Sequence, residues 1–144
     1  MAKYFGTVVF RKKEGKTLFL IIRHIYSKGG HWHFPKGQSK PTETDEEAAA
    51  REVFEETSQK YDLIPEFKEK INYKIVNSKD SELMEVTFFL GRSYYPEVKI
   101  SPTEIIDYKW GTYDECLSKL THSEAKELLK KANDFLLKQA VEQN

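Results

Sequence analysis

The chain has 144 residues, with 23 Lys plus Arg against 23 Asp plus Glu and a single cysteine, Cys116. That length suits one domain spanning residues 1–144, and formal neutrality removes any bulk electrostatic case for a nucleic-acid or membrane partner. One cysteine excludes an intrachain disulfide, and neither an apolar leader nor a membrane-length apolar run is present, so a soluble, cytoplasmic protein is expected.

In chain order, KYFGTVVFRK (3–12) and TLFLIIRH (17–24) are rich in β-branched and aromatic residues, and predict two strands joined by a hairpin near Glu14-Gly15. The segment SKGGHWHFPKGQSKPTE (27–43) is dense in Gly, Pro and polar residues and reads as a working loop. Thr44 with Glu47 forms a capping-box pattern, which starts a helix running to about Gln59. Its apolar side is expected to be Ala50, Val53, Phe54 and Thr57, packed on a sheet, with Ala48 and Ala49 leaving the opposite face low and open. Pro65 marks a break before the next strands, INYKIV (71–76) and LMEVTFFLGRSYY (83–95), which are separated by a polar turn. IIDYKWGTY (105–113) predicts a shorter strand, and SEAKELLKKANDFLLKQ (123–139) an amphipathic terminal helix with Leu128, Leu129, Ala132, Phe135 and Leu136 on one stripe.

The predicted first helix carries an electrostatic oddity. Glu52, Glu55 and Glu56 stand at i, i+3 and i+4, where like charges repel by a few tenths of a kcal/mol per pair. Four residues on either side of Glu52 lie Ala48 and Glu56, so no cation answers it at helical spacing, although Arg51 reaches Glu47 and Glu55, and Lys60 reaches Glu56. A solvated acidic face is the ordinary reading of a charge run. The alternative is a site for a hard divalent cation such as Mg2+, which prefers several oxygen ligands.

Counted from Gly37, the chain reads Gly, five residues, Glu43, seven residues, then Arg51-Glu52-Val53-Phe54-Glu55-Glu56, and this resembles the signature of the Nudix hydrolases. The pattern departs at Ser58 and Gln59, where the family has Gly and an aliphatic residue. HWHFPKG before the signature, INY after it and SPTEIIDYKW near the C-terminus look like the branch that hydrolyses diadenosine tetraphosphate asymmetrically. The resemblance implies an α/β fold, the Nudix fold, with a mixed β-sheet sandwiched between helices. It implies Mg2+, with Mn2+ as an alternative, held by the Gly37 carbonyl and by Glu52, Glu55 and Glu56. One glutamate acts as general base, Glu56 first and Glu104 second. Glu104 also approaches the metal from the loop before Trp110, and an exposed loop acid is its competing reading.

Arg51 is expected to fix Glu55 by paired hydrogen bonds, and Glu43 to tie the preceding loop to the helix start. Lys36, His31 and His33 sit where a phosphate chain would pass, the two histidines on one side of an extended segment and Trp32 on the other; Arg23 and Lys79 are further phosphate candidates. Tyr73, with Phe135 as partner, is the candidate platform for a base, and Phe135 also fits the core stripe of the terminal helix. The expected partner is a small-molecule nucleotide, with no stable nucleic-acid partner and no membrane, bound by a monomer. Two other readings share these residues: hydrolysis of another nucleoside triphosphate or a 5′-triphosphate RNA end, and nucleotide binding without turnover.

Overall fold

The first strand, β1 (Tyr4–Lys13), turns through Glu14 and Gly15, both at positive φ (50° and 80°), into β2 (Lys16–His24). Two successive left-handed residues match the right-handed twist of a two-residue hairpin, and here the second is glycine. The computed structural model describes residues 3–25, 30–76 and 81–142, the side chains of 73–76 and 81–82 excepted.

Beyond Phe10–Phe19 the two strands diverge. The wedge between them is filled by two short strands that sequence reasoning assigned to loop: β3 (His31–His33) pairs with β2, and β4 (Lys36–Gln38) pairs with β1. Between these, Pro35 accepts a hydrogen bond from Thr7 N–H (3.2 Å). Residues 31–38 of the expected working loop are therefore clamped at the splayed end of the hairpin. Helix α1 (Asp45–Thr57) follows, then β5 (Asp62–Val76), β6 (Ser81–Arg92), β7 (Ile105–Gly111), α2 (Tyr113–Lys119) and α3 (Ser123–Glu142). β6 runs parallel to β1, while β5 lies antiparallel to β6 and β7 antiparallel to β2. The result is the expected mixed sheet.

Strand alternation distributes the core to two faces. Val8, Phe10, Phe19, Ile21, Phe88 and Leu90 pack against Cys116 and Leu120 of the α2 region and Ala125, Leu128, Leu129 and Ala132 of α3. On the other face, Phe5 and Phe89 meet Ala48 and Ala49, and Val9 and Leu20 meet Val53. Helices thus cover both sides of the sheet, an α/β sandwich.

Three expectations need correction. Pro65 is not a break but lies inside β5, at a register shift between Leu63 and Lys68, and the sheet-edge position of β5 spares proline a ladder hydrogen bond. α2 was not anticipated, although Thr112 and Glu115 make a second complete capping box at its start. The buried face of α1 is rotated from the one expected: Val53 and Thr57 are buried as read, but Ala50 and Phe54 are exposed, and Ala48, Ala49 and Glu56, read on the open side, are buried instead. The helix packs through its small residues, and that close approach carries the acidic stripe inward.

The Thr44 capping box forms as read, with Thr44 Oγ1 accepting from Glu47 N–H and the Glu47 carboxylate accepting from Thr44 N–H. At the other end the helix stops at Thr57, two residues earlier than expected, because Ser58 takes the left-handed conformation (φ 61°) and returns its N–H to Phe54 O (2.8 Å). Serine thus performs the turn that glycine performs in the family pattern. Gln59 is fully buried; its amide donates to Tyr95 O (3.1 Å) and Glu97 O (2.6 Å) and accepts from Ser93 Oγ, fastening segment 93–97 beneath the helix end. Left-handed backbone costs a residue with a Cβ about 1 kcal/mol, part of which glycine loses again through unfolded-chain entropy. Ser58→Gly should therefore raise unfolding stability by about 0.5–1 kcal/mol in urea titration; a loss of stability would show that the Ser58 Oγ contact to Lys99 O (3.3 Å) outweighs backbone strain.

Candidate active site

The acids of α1 face the backbone of β4. Glu56 is almost wholly buried, and its Oε1 accepts from the Lys36 backbone N–H (2.9 Å). The Glu52 carboxylate lies directly over Gly37, so close that a Cβ on Gly37 would collide with it. Glycine is required there by close approach, since its φ is not in the positive range. Glu104 lies in the loop before β7, its carbonyl accepting from Ile25 N–H (2.9 Å), and its charge acts on both Glu52 and Glu56. Glu55, in contrast, is half exposed at the rim.

Arg51 organises the outer side of this group. Its Nε donates to Glu43 Oε2 (2.5 Å), one terminal nitrogen donates to Glu52 Oε1 (2.8 Å) and Glu55 Oε1 (3.2 Å), and the other to Gln38 O (2.9 Å) and Glu43 Oε1 (3.0 Å). The expected Glu55 contact is present. Instead of the expected Glu47, Arg51 finds Glu43 and its own neighbour Glu52, because the chain entering the helix loops back over the guanidinium. Glu43 also accepts from Lys40 N–H (2.8 Å), which ties that loop to the helix as expected. The hydrogen bond from Arg51 holds the Glu43 carboxyl down at about 2.

Deeper in, burial governs. It pushes the Glu56 carboxyl up to about 8, reinforced by Glu52 and Glu104 and opposed by the Lys36 N–H and ammonium. Glu52 is raised by burial despite Arg51, and the Lys36 ammonium is lowered by burial while Glu56 and Glu52 pull it back. Acids held above their usual range beside a bare peptide backbone have the donor chemistry of a Mg2+ or Mn2+ site: hard oxygens, several of them, on a rigid frame. The cage is gathered but not closed. Among the described residues no three carboxylate, imidazole or thiol groups already surround one ion position. Arg51 and the Lys36 N–H engage carboxylate oxygens an ion would need, so Glu52 and Glu55 would swing from the guanidinium to bind one.

The remaining candidates fall into three groups. His31, His33 and Lys36 do come together, with His33 fully enclosed, its Nδ1 accepting from Phe34 N–H (2.7 Å) and its ring stacked on Phe88 (centroids 5.6 Å). Arg23 stands at the end of β2 with its side chain over Gly30. Phe135 meets Phe67 edge to face (5.6 Å) at the margin of the α3 core. For Tyr73 the backbone is placed, opposite Met84 in β5–β6, but its side chain lies outside the described residues, as does Lys79 entirely.

Two residues were missed. His24 Nδ1 lies 4.0 Å from Glu56 Oε2, and burial together with Lys36 and His31 lowers its pKa to about 4. His122, from the turn between α2 and α3, reaches His31. Neither had a spacing signal, because each joins the group through tertiary contact; only the pairing of the strand end His24 with His31 was open to register reasoning.

A fold with helices on both faces of a mixed sheet, and a Gly-Glu-Arg-Glu-Glu-Glu frame at its splayed hairpin, is that of a Nudix hydrolase: the NUDIX domain model matches residues 2–132, and the chain belongs to this family. Among its relatives is the asymmetrical bis(5′-nucleosyl)-tetraphosphatase of Caenorhabditis elegans, 28% identical over 139 residues that cover 94% of this chain and 97% of that protein. The mouse enzyme of the same name is 28% identical over 141 residues, covering 91% of this chain and 92% of its own. A crystal structure of a C. elegans Ap4A hydrolase binary complex superposes with a TM-score of 0.84 at 28% identity, covering 95% of this chain and 98% of that one.

The Glu43–Arg51 link has a testable pH signature. A carboxyl depressed in the folded state adds stability above its unfolded pKa, near 4.5, and loses it as pH falls towards 2. Glu43→Gln should lower the melting temperature at pH 7, and the gap to the wild type should close between pH 4.5 and 2. A gap constant across that range would mean that the carboxylate charge is not what Arg51 holds.

Proposed function

We propose that this Nudix hydrolase is a cytoplasmic monomer that uses Mg2+, with Mn2+ as an alternative, to cleave dinucleoside polyphosphates, diadenosine tetraphosphate to ATP and AMP above all. The observation that carries the chemistry is the convergence of Glu56 and Glu52 on the Lys36–Gly37 backbone, with Glu104 near enough for its charge to act on both. Similarity to asymmetrical tetraphosphatases along nearly the whole chain supports the substrate. The partner is a small-molecule nucleotide, with no stable nucleic-acid partner and no membrane contact.

Glu52, Glu55 and Glu56, the Gly37 carbonyl and Glu104 would hold the metal, which when bound would neutralise charge on the phosphate oxygens and help to orient water. In the hydrolysis a water oxygen attacks phosphorus, one phosphoanhydride P–O bond breaks to release the two nucleotides, and the glutamate that serves as base rather than as ligand, Glu56 first and Glu104 as second choice, takes the proton that water gives up. Arg51 holds Glu52 and Glu55 at the site through the hydrogen bonds described above until an ion takes over their oxygens. Lys36, His31 and His33 flank the path of the phosphate chain, with Arg23 and Lys79 as outer contacts. Tyr73 supplies a stacking face for a base, with Phe135 as its candidate partner.

A panel of diadenosine polyphosphates, nucleoside triphosphates, nucleotide sugars and triphosphorylated RNA, with product identification, tests the substrate assignment. Diadenosine tetraphosphate should be hydrolysed best, to ATP and AMP. Preference for a mononucleotide or an RNA end would move the assignment within the family, and no turnover of any of them would leave a binding module.

Glu56→Gln should lower turnover about 100-fold or more, the scale expected on loss of a base or metal ligand. Because burial already favours the uncharged acid, the isosteric amide should keep the melting temperature at neutral pH, which separates chemistry from folding. Near-normal rates would remove Glu56 from the site. Tyr73→Ala should weaken binding of the dinucleotide more than of inorganic polyphosphate, and equal losses would contradict stacking.

A further inference from the structure

All four histidines of the chain lie in one region, although they come from three places: His24 at the end of β2, His31 and His33 on β3, and His122 between α2 and α3. The last arrives because its turn docks on β3. Thr121 N–H donates to Trp32 O (3.2 Å), Trp32 N–H donates to Thr121 Oγ1 (2.9 Å), and the Lys119 ammonium lies over the Trp32 ring (5.1 Å). These contacts flank His122 and bring its Nε2 within 3.2 Å of His31 Nδ1, the two rings nearly perpendicular (79°) with centroids 4.9 Å apart.

We propose that His122 is a positioning residue for His31, fixing the tautomer in which His31 carries its proton on Nε2. The inference rests on the reading of His31 as a contact to substrate phosphate. A hydrogen bond between two ring nitrogens admits one proton, so there are two arrangements. If His122 Nε2–H donates, His31 Nδ1 accepts and His31 Nε2–H is available as a donor. If His31 Nδ1–H donates instead, His31 Nε2 presents a lone pair. Phosphate oxygens only accept, so with both rings neutral only the first arrangement gives an attractive contact. Burial, with help from His31, lowers the pKa of His122 and keeps it a neutral partner that offers one N–H rather than two. His122 therefore acts on the substrate through His31, from an element other than the acidic helix.

The test compares wild type with His122→Phe, which keeps a ring but has no N–H, and with His122→Gln, which keeps an N–H donor of similar reach. Two-bond 1H–15N spectra of the metal-free protein report the His31 tautomer without reference to activity. Wild type and His122→Gln should show a predominantly Nε2-protonated His31, and His122→Phe a mixture of tautomers. With diadenosine tetraphosphate, His122→Phe should raise KM about tenfold, the scale of one hydrogen bond to a charged group, with kcat changed by less than about twofold. His122→Gln should recover most of that loss. An unchanged His31 tautomer in His122→Phe, or a Gln variant as impaired as the Phe variant, would overturn the proposal. A shifted tautomer with unchanged KM would uphold the positioning and remove His31 from the phosphate contacts, so the two readings fail separately.

Discussion

Burying the Glu56 carboxyl against the Lys36 peptide N–H is the constraint around which the site is built. A carboxyl with almost no exposure cannot keep its charge without a partner, and its proton is correspondingly hard to remove. The small side chains of Ala48 and Ala49 set the helix close enough to the sheet to force this burial, and the missing Cβ of Gly37 leaves the room that the Glu52 carboxylate occupies. Packing, glycine placement and acid chemistry are one arrangement here.

The topology explains why that arrangement sits where it does. A hairpin that stayed paired to its end would give no opening, but β1 and β2 separate, and β3 and β4 enter the wedge. β4 offers its backbone to the acids on one side, and β3 offers imidazoles to the turn between α2 and α3 on the other. The carboxylates of α1 thus meet the β4 backbone while the imidazoles of β3 stand on the other side, and Pro35 between the two short strands is tied to β1 through the Thr7 N–H. Arg51 serves the outer rim, where its charge answers Glu43 and Glu55 and offsets part of what burial does to Glu52.

Much of this was legible in the sequence where local chemistry dominates. The Glu14-Gly15 turn, the Thr44–Glu47 box and the Gly37-to-Glu56 spacing are set by short-range rules, and all three appear as read. Legibility fails where tertiary packing decides. The alternation of α1 pointed to Phe54 as core, yet a helix that lies close to its sheet needs alanine at the contact, so Phe54 turns to solvent beneath Lys60 (5.7 Å). Ser58 and Gln59 read as departures from a pattern; folded, one makes the helix stop and the other bonds a neighbouring segment. His24 and His122 carry no sequence mark, since a single histidine at a strand end or in a turn acquires meaning only from what folds against it.

Under the proposed function, a hard cation taken up beside Glu56 displaces the proton that burial holds on it. Calorimetric titration of the metal-free protein with Mg2+ or Mn2+ in buffers of different ionisation enthalpy measures this directly. With that carboxyl near 8, binding at pH 7 should release about one proton, binding above pH 9 almost none, and affinity should strengthen as pH rises between them. Metal uptake at pH 7 without proton release, or the same release from Glu56→Gln, would contradict the account.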